Sequence, residues 1–262
     1  MIQSIARAVQ ILNLFRDTPR LGISQIAQKV GLPKTTVFGL VQSLCEENFL
    51  ARDPQTHDYS LGIALFELGT ICESRLDLRK IAAPFMQSLY EKVNDTVQLT
   101  VLTGRYSTYI SKVVAPNNMT FAMAIGVRAF AHCTASGKVL LAYKPREEID
   151  KLYAGVTLER PTAHTHPNYE LLRRQLDNLC RQGYSTECQE VHEELAGVAV
   201  PVFDAKGASC AALCLSFPYT RFGEDYFSSN IPLLKETAAE ISQRLGCSKN
   251  LIPPEVLDLT LY

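Results

Sequence analysis

The chain has 262 residues, a formal net charge of −1, 47% hydrophobic and 20% charged residues, an ordinary globular composition with length for two domains. It leaves at most a local basic patch. Eight cysteines form no C-x-x-C pair or regular framework, no apolar run approaches the roughly 18 residues of a membrane span, and the N-terminus lacks a signal-peptide core, so the expectation is a cytoplasmic protein with reduced thiols and no membrane partner.

The first predicted helix covers residues 4–17, burying Ile5, Ala8, Val9, Leu12 and Phe15 at helical spacing until Thr18-Pro19 stops it. Residues 23–30 predict a second short helix, with Ser24 placed to cap, Ile26, Ala27 and Val30 as its stripe, and Gly31 as its end. After Leu32-Pro33, the residues Val37, Leu40, Val41 and Leu44 stand at i, i+3, i+4 and i+7 of a third helix. Two short helices joined by a tight glycine-containing turn have the spacing of a helix-turn-helix, whose second helix enters the DNA major groove. Its outer face would present Thr35, Gly39 and Gln42, with Phe38 and Ser43 at the margins. Residues 49–62 then read as two short strands around the turn-rich Asp53-Pro54-Gln55-Thr56-His57-Asp58, a hairpin wing.

Residues 1–62 hold six Lys/Arg against five acids, too little charge for one copy to bind phosphates well, so a DNA-binding role favours a dimer on a palindrome. Residues 62–94 look helical, with Ile63, Leu65, Phe66, Leu68, Ile71 and Cys72 apolar over too wide an arc for a lone surface helix. A break is expected at residues 76–79, so the first half is a linker paired with itself across a dimer and the second half belongs to the next domain. Extended runs follow at residues 96–103, 106–114 and 120–125, then helices at 134–143, 169–182 and 231–245 and strands at 198–204 and 209–217. An antiparallel sheet flanked by helices is an α+β sensor domain. Residues 248–262 show no clear periodicity.

The strand at 209–217 alternates Cys210, Ala212, Cys214 and Ser216 on one face with Ala211, Leu213, Leu215 and Phe217 on the other. The first face suits either a cavity floor or the close crossing of a helix. At Thr134-Ala135-Ser136-Gly137-Lys138 a helix starts with Thr134 as cap, and its free backbone N–H groups make a ready anion site. A nucleotide loop would need Gly where His132 stands, which excludes ATP and GTP. His164-Thr165-His166 lacks a second ligand pair and Cys210-x-x-x-Cys214 has strand spacing, so no metal and no other cofactor is expected. His132-Cys133 would need an orienting third group to act as base and nucleophile, and none is visible.

Five phrases in order, Ser4-Ile5-Ala6-Arg7-Ala8, Leu32-Pro33-Lys34-Thr35-Thr36, Tyr59-Ser60-Leu61-Gly62, Thr134-Ala135-Ser136-Gly137-Lys138 and Pro201-Val202-Phe203-Asp204, resemble the IclR-type bacterial transcriptional regulators over residues 4–246. The resemblance implies a GAF-like effector domain and a pocket for small acids. It places effector contacts at Ala135 and Ser136, at Glu187 after Gly183-Tyr184, at Leu195 and Gly197, and at Cys214 and Ser216. Two positions depart from the family pattern: Gly39 replaces the usual Arg of the reading helix, and Glu194 stands where a Gly is usual. Glu187 reads either as a carboxylate accepting hydrogen bonds from ligand hydroxyls or as a solvated loop acid among Glu190, Glu193 and Glu194.

The expected architecture is α+β: a winged helix-turn-helix at 1–61, a linker and dimerisation helix at 62–78, a GAF-like antiparallel effector domain at 79–247 and a tail at 248–262. The expected function is a non-enzymatic, ligand-responsive regulator that binds double-stranded DNA as a homodimer or dimer of dimers and senses a hydroxy, keto or sugar acid. Lys34, Thr35, Thr36, Gln42 and Arg52 are the candidate DNA contacts, with Lys34 and Arg52 directed at phosphates. The alternative is a thiol-based redox sensor or oxidoreductase on a GAF-like scaffold, using Cys133, Cys210 or Cys214.

Overall fold

Helical periodicity in the first quarter of the chain resolves into α1 (Gln3–Leu14), α2 (Ile23–Val30) and α3 (Lys34–Glu46). The computed structural model describes residues 2–16, 18–75, 77–115 and 123–260, and the chain divides into two units, Met1–Asp77 and Leu78–Tyr262. In the first unit Ile11, Phe15, Ile26, Ala27, Val37 and Val41 meet Leu21, Leu50 and Tyr59 in one core. α1 is rotated from its expected setting. Ile11 is fully buried, whereas Ile5 and Val9 are 59% and 49% exposed and form with Ile2 an outer stripe. Its last turn ends at Phe15, and the expected end at Asp17 lies outside the described residues. α2 is capped by Gly22, whose N–H donates to Gln25 Oε1 at 2.8 Å; Ser24, expected to cap, sits inside the helix. Gly31 closes it in the left-handed region at φ 66°.

The wing is the hairpin β1 (Leu50–Arg52) and β2 (Tyr59–Leu61), paired Leu50 with Leu61, and a bridge from Leu21 to Tyr59 ties it to the helices. Asp53 Oδ1 accepts from the Gln55 and Thr56 N–H groups at 2.9 and 3.1 Å, which shapes the tip. α4 (Ile63–Arg75) follows, with Ile63, Phe66, Leu68 and Ile71 between 50% and 71% exposed. α5 (Asp77–Val93) begins the second unit; Leu76, at the start of the expected break, lies outside the described residues.

The second unit is built on β3 (Thr96–Thr103), β4 (Tyr106–Val113), β5 (Arg128–Phe130), β6 (Ser185–Cys188), β7 (Leu195–Phe203) and β8 (Ser209–Pro218), antiparallel in the order β5-β4-β3-β8-β7-β6. Alternation divides the two faces. Val97, Leu99, Val198, Val200, Leu213, Leu215 and Phe217 pack on α5 and on α9 (Glu224–Arg244). The opposite face receives α6 (Ala135–Ala142), flanked by α7 (Arg146–Tyr153) and α8 (Tyr169–Gln182).

Several expectations need correction. The strand anticipated at 120–125 falls partly outside the described residues, and its described part is not a strand but leads into a turn at Gly126, which adopts φ 85° and donates its N–H to the Tyr109 carbonyl at 2.8 Å; the strand that pairs with the outer side of β4 is β5. α9 starts at Glu224, one and a half turns or more before the expected position, because Pro232 lies within the helix rather than near its start. Finally, the C-terminal segment folds: α10 (Pro254–Leu257) packs Val256 and Ile252 against Phe203 and Ala239. The buried Lys235 ammonium fastens it by donating to the Glu255 and Asp258 carbonyls at 2.9 and 2.8 Å.

Candidate functional site

In the first unit α3 turns Val37 and Val41 inward, which leaves Thr35, Phe38, Gly39, Gln42 and Ser43 on its solvent side. Lys34 is exposed at the helix start and Thr36 is half-buried against the core. The Gln42 amide donates to Glu46 Oε1 at 3.2 Å, one turn along the same face. A methyl group at Gly39 would meet no atom within 4 Å, so the absent side chain leaves an open slot in the middle of the face. Arg52 stands exposed on β1, its guanidinium 6.0 Å from the Tyr59 ring centroid.

In the second unit α6 is buried along Ala135–Leu141. Thr134 caps it by accepting the Gly137 N–H at 3.0 Å. Gly137 is required by packing: a methyl group there would stand 2.3 Å from the Ala131 Cα. The neighbouring Lys138 points inward, fully buried, with Nζ 2.6 Å from Glu190 Oε1. Ser-Gly-Lys is thus a packing and ion-pair element in this chain.

Beneath the α6 N-terminus the sheet offers a polar face. Cross-strand register aligns Glu187 with Gly197, Gly197 with Ser216, and Cys214 with Gln98. A methyl group at Gly197 would lie 3.5 Å from Glu187 Oε1 and 3.7 Å from Ala135 Cβ, which brings three expected effector contacts together. Ser216 Oγ donates to Gln98 Oε1 at 2.8 Å, and the Cys214 thiol approaches the same oxygen at 3.7 Å. Ser136 is joined to Ser107 at 2.9 Å. Leu195 shares the α6 side of β7 but sits at its outer end, half-buried opposite Pro218.

Glu187 is not the solvated loop acid of the second reading. It lies on β6, only 4% exposed, and burial pushes its carboxyl up to about 8, against the pull of Lys138 and of the Glu190 and Val191 N–H groups.

Gln98 and Thr100 are residues that sequence reading passed over. Gln98 Nε2 and Thr100 Oγ1 are buried without a hydrogen-bond partner among the described residues, on β3 opposite Cys214 and Ala212 of β8. The signal was present: Thr96, Gln98 and Thr100 alternate with Val97, Leu99 and Val101.

Burial holds the Cys133 and Cys214 thiols up at about 12 and Cys210 at about 11, far from thiolate chemistry. His166 Nε2 pairs with Gln175 Oε1 at 2.7 Å while His164 faces Glu193. Among the described residues no three His, Cys, Asp or Glu side chains group as metal ligands, and no helix is long and apolar enough to cross a membrane.

A tri-helical unit with a wing, together with an antiparallel sheet whose buried polar face lies under a helix N-terminus, directs comparison to ligand-responsive DNA-binding proteins. Residues 4–54 match the IclR helix-turn-helix domain and residues 72–243 the bacterial transcriptional regulator IclR C-terminal domain. The chain belongs to the IclR family of transcriptional regulators. It is 34% identical to the HTH-type transcriptional regulator KdgR of Dickeya chrysanthemi over 94% of this chain and 80% of that protein. An IclR homolog from Microbacterium hydrocarbonoxydans, solved in complex with 4-hydroxybenzoate, aligns with TM-score 0.78 and 27% identity over 93% of this chain and 99% of that one. In fold alone, the chain also aligns with a regulator from Silicibacter sp. TM1040, at TM-score 0.84 and 24% identity over 96% of this chain and 98% of that one. IclR-type regulators bind DNA and small-molecule effectors, and this family member carries both kinds of unit.

Proposed function

We propose that this IclR-family regulator reads a palindromic operator as a homodimer and is switched by a small organic acid held between the α6 N-terminus and β6–β8. The observation that carries the effector half is the convergence of Ala135, Glu187 and Gly197 within 4 Å beside the Ser216–Gln98 pair, on a face otherwise sealed by α6. The first N–H groups of a helix have no intrahelical acceptors, and a carboxylate placed there gains charge-assisted hydrogen bonds. Ser136 and Ser216 add hydroxyls from opposite walls, Leu195 and Gly197 border the β7 side, and Cys214 limits the width. The relative bound to 4-hydroxybenzoate supports an oxygenated carboxylic acid as the class.

On the DNA side, Thr35 and Gln42 face base edges while Lys34 and Arg52 meet phosphates, and the half-buried Thr36 borders that face. Ile63, Phe66, Leu68 and Ile71 on α4 form the apolar surface of a dimer of two such chains. A thermal-shift panel of pyruvate, 2-oxobutanoate, gluconate and 4-hydroxybenzoate tests the acid class, since a ligand at a hundred times its Kd stabilises by about 2.7 kcal/mol. A rise in Tm with at least one of them is expected. An unchanged Tm with all four at millimolar concentration contradicts it.

A further inference from the structure

Three ionisable side chains on the α6 side of the sheet are at least nine-tenths buried: Lys138 from α6, Glu187 from β6 and Glu190 from the turn after it. Two carboxyls and one ammonium carry an uncompensated negative charge if all three ionise, and an unpaired buried charge is strongly disfavoured. The geometry decides which carboxyl has the partner. Lys138 Nζ lies 2.6 Å from Glu190 Oε1, whereas Glu187 receives backbone donation, from the Glu190 N–H at 3.1 Å and from the Val191 N–H. A second negative charge, the effector's carboxylate, would then enter beside Ala135 and Gly197, directly against Glu187.

We propose that Lys138, Glu190 and Glu187 form a proton-retaining trio, in which the ammonium is engaged by Glu190 and Glu187 is left as a neutral hydrogen-bond donor to the effector's carboxylate. The inference rests on the acid-effector reading of the pocket and assigns Lys138 and Glu190 as positioning residues for it. The trio keeps one proton at neutral pH; it stays on Glu187 and is shared with the bound carboxylate, and no bond other than this hydrogen bond forms. A Glu187 carboxyl raised to about 8 accords with that state.

The other titratable groups around Glu187 do not compete for the proton. Cys133 ahead of α6 and Cys214 on β8 are held up at about 12, and Tyr109 on β4 well above its ordinary value, all by burial. Cys188, next to Glu187 on β6, is likewise raised. His166 faces Glu190 Oε2 at 4.0 Å and is bonded to Gln175, so whatever it contributes persists when Glu187 is replaced.

The test is calorimetric binding of the same four acids by the full chain between about pH 6 and pH 9.5, where each carboxylate is already ionised, with 4-hydroxybenzoate compared only below about pH 8 because its phenol titrates above that. Wild type should bind most tightly below about pH 8 and lose about tenfold per pH unit above it, as the proton leaves Glu187. Glu187→Gln keeps a donor of the same shape, so it should hold the neutral-pH affinity within a few-fold and bind independently of pH. Glu190→Gln frees Lys138 to favour ionised Glu187, so it should weaken binding at pH 7 by about tenfold, with affinity restored in the Glu187→Gln/Glu190→Gln double variant. A merely structural Glu190 would not be rescued in this way. Affinity that rises with pH, or a Glu187→Gln variant weakened at every pH, overturns the trio while leaving the acid pocket standing. No binding of any of the four acids at any pH overturns the acid-effector reading and the trio with it.

Discussion

Helices α3 and α6 both begin beside threonines, after Pro33 in one case and under the Thr134 cap in the other, yet they lie in different units of the chain. α3 buries Val37 and Val41 and leaves a polar outer face, open to a partner as long as a DNA duplex. α6 is buried from Ala135 to Leu141, so its N-terminal N–H groups address only what the protein encloses. The difference teaches that burial around a helix, more than its own sequence, decides whether its free end meets a macromolecule or a small molecule. It also separates the charge logic. On the proposed reading, DNA contact through Lys34 and Arg52 would be screened by salt, whereas an effector held beside desolvated groups such as Glu187 and Lys138 would scarcely feel it.

The largest effect expected from breaking the open side is on assembly. Phe66 is 71% exposed on α4, and Phe66→Asp places a charge in the proposed dimer surface. Sedimentation should show the mass halved, with DNA affinity down by at least about tenfold as one half-site is lost. A variant that keeps wild-type mass and affinity removes α4 from the interface. The next effect lies on α3 itself. Gln42→Ala should erase about 1 to 3 kcal/mol of discrimination at one or two base pairs, whereas Arg52→Ala should weaken all duplexes alike and flatten the salt dependence. Equal loss on selected and random DNA for Gln42→Ala would mean that Gln42 reads no base. The smallest effect sharpens the role of Gly39. With nothing within 4 Å of the missing side chain, Gly39→Ala should stabilise the first unit by about 1 kcal/mol. If affinity for selected DNA falls at the same time, the duplex backbone approaches α3 at that point.

Much of the open side was legible because helical periodicity reports burial locally: Val37, Val41, Ile26 and Ala27 all fall where the stripe put them. α1 shows the limit. It carries two overlapping stripes, Ile5-Ala8-Val9-Leu12 and Ala8-Ile11-Leu12-Phe15, and periodicity alone cannot choose which one the core takes. On the enclosed side, the alternation of β8 separated Cys214 and Ser216 from Leu213 and Leu215 correctly, and the same alternation in β3 would have revealed Gln98 and Thr100. β6 was missed because Ser185-Thr186-Glu187-Cys188 has no apolar alternation of its own and is held by β7. The Lys138–Glu190 pair spans 52 positions, and no local pattern signals a contact of that separation.

The separation of the two sides is tested most directly at Cys214, 4% exposed on β8 and part of the proposed effector site. Fluorescence anisotropy would follow a duplex selected by the full chain from random DNA, titrated with and without the acid that most raises the Tm. The acid should change wild-type duplex affinity by about tenfold or more, within the usual range of coupling between sites, and Cys214→Leu should bind the duplex as wild type does but ignore the acid. A Cys214→Leu variant that still responds to the acid with wild-type sensitivity would contradict that separation.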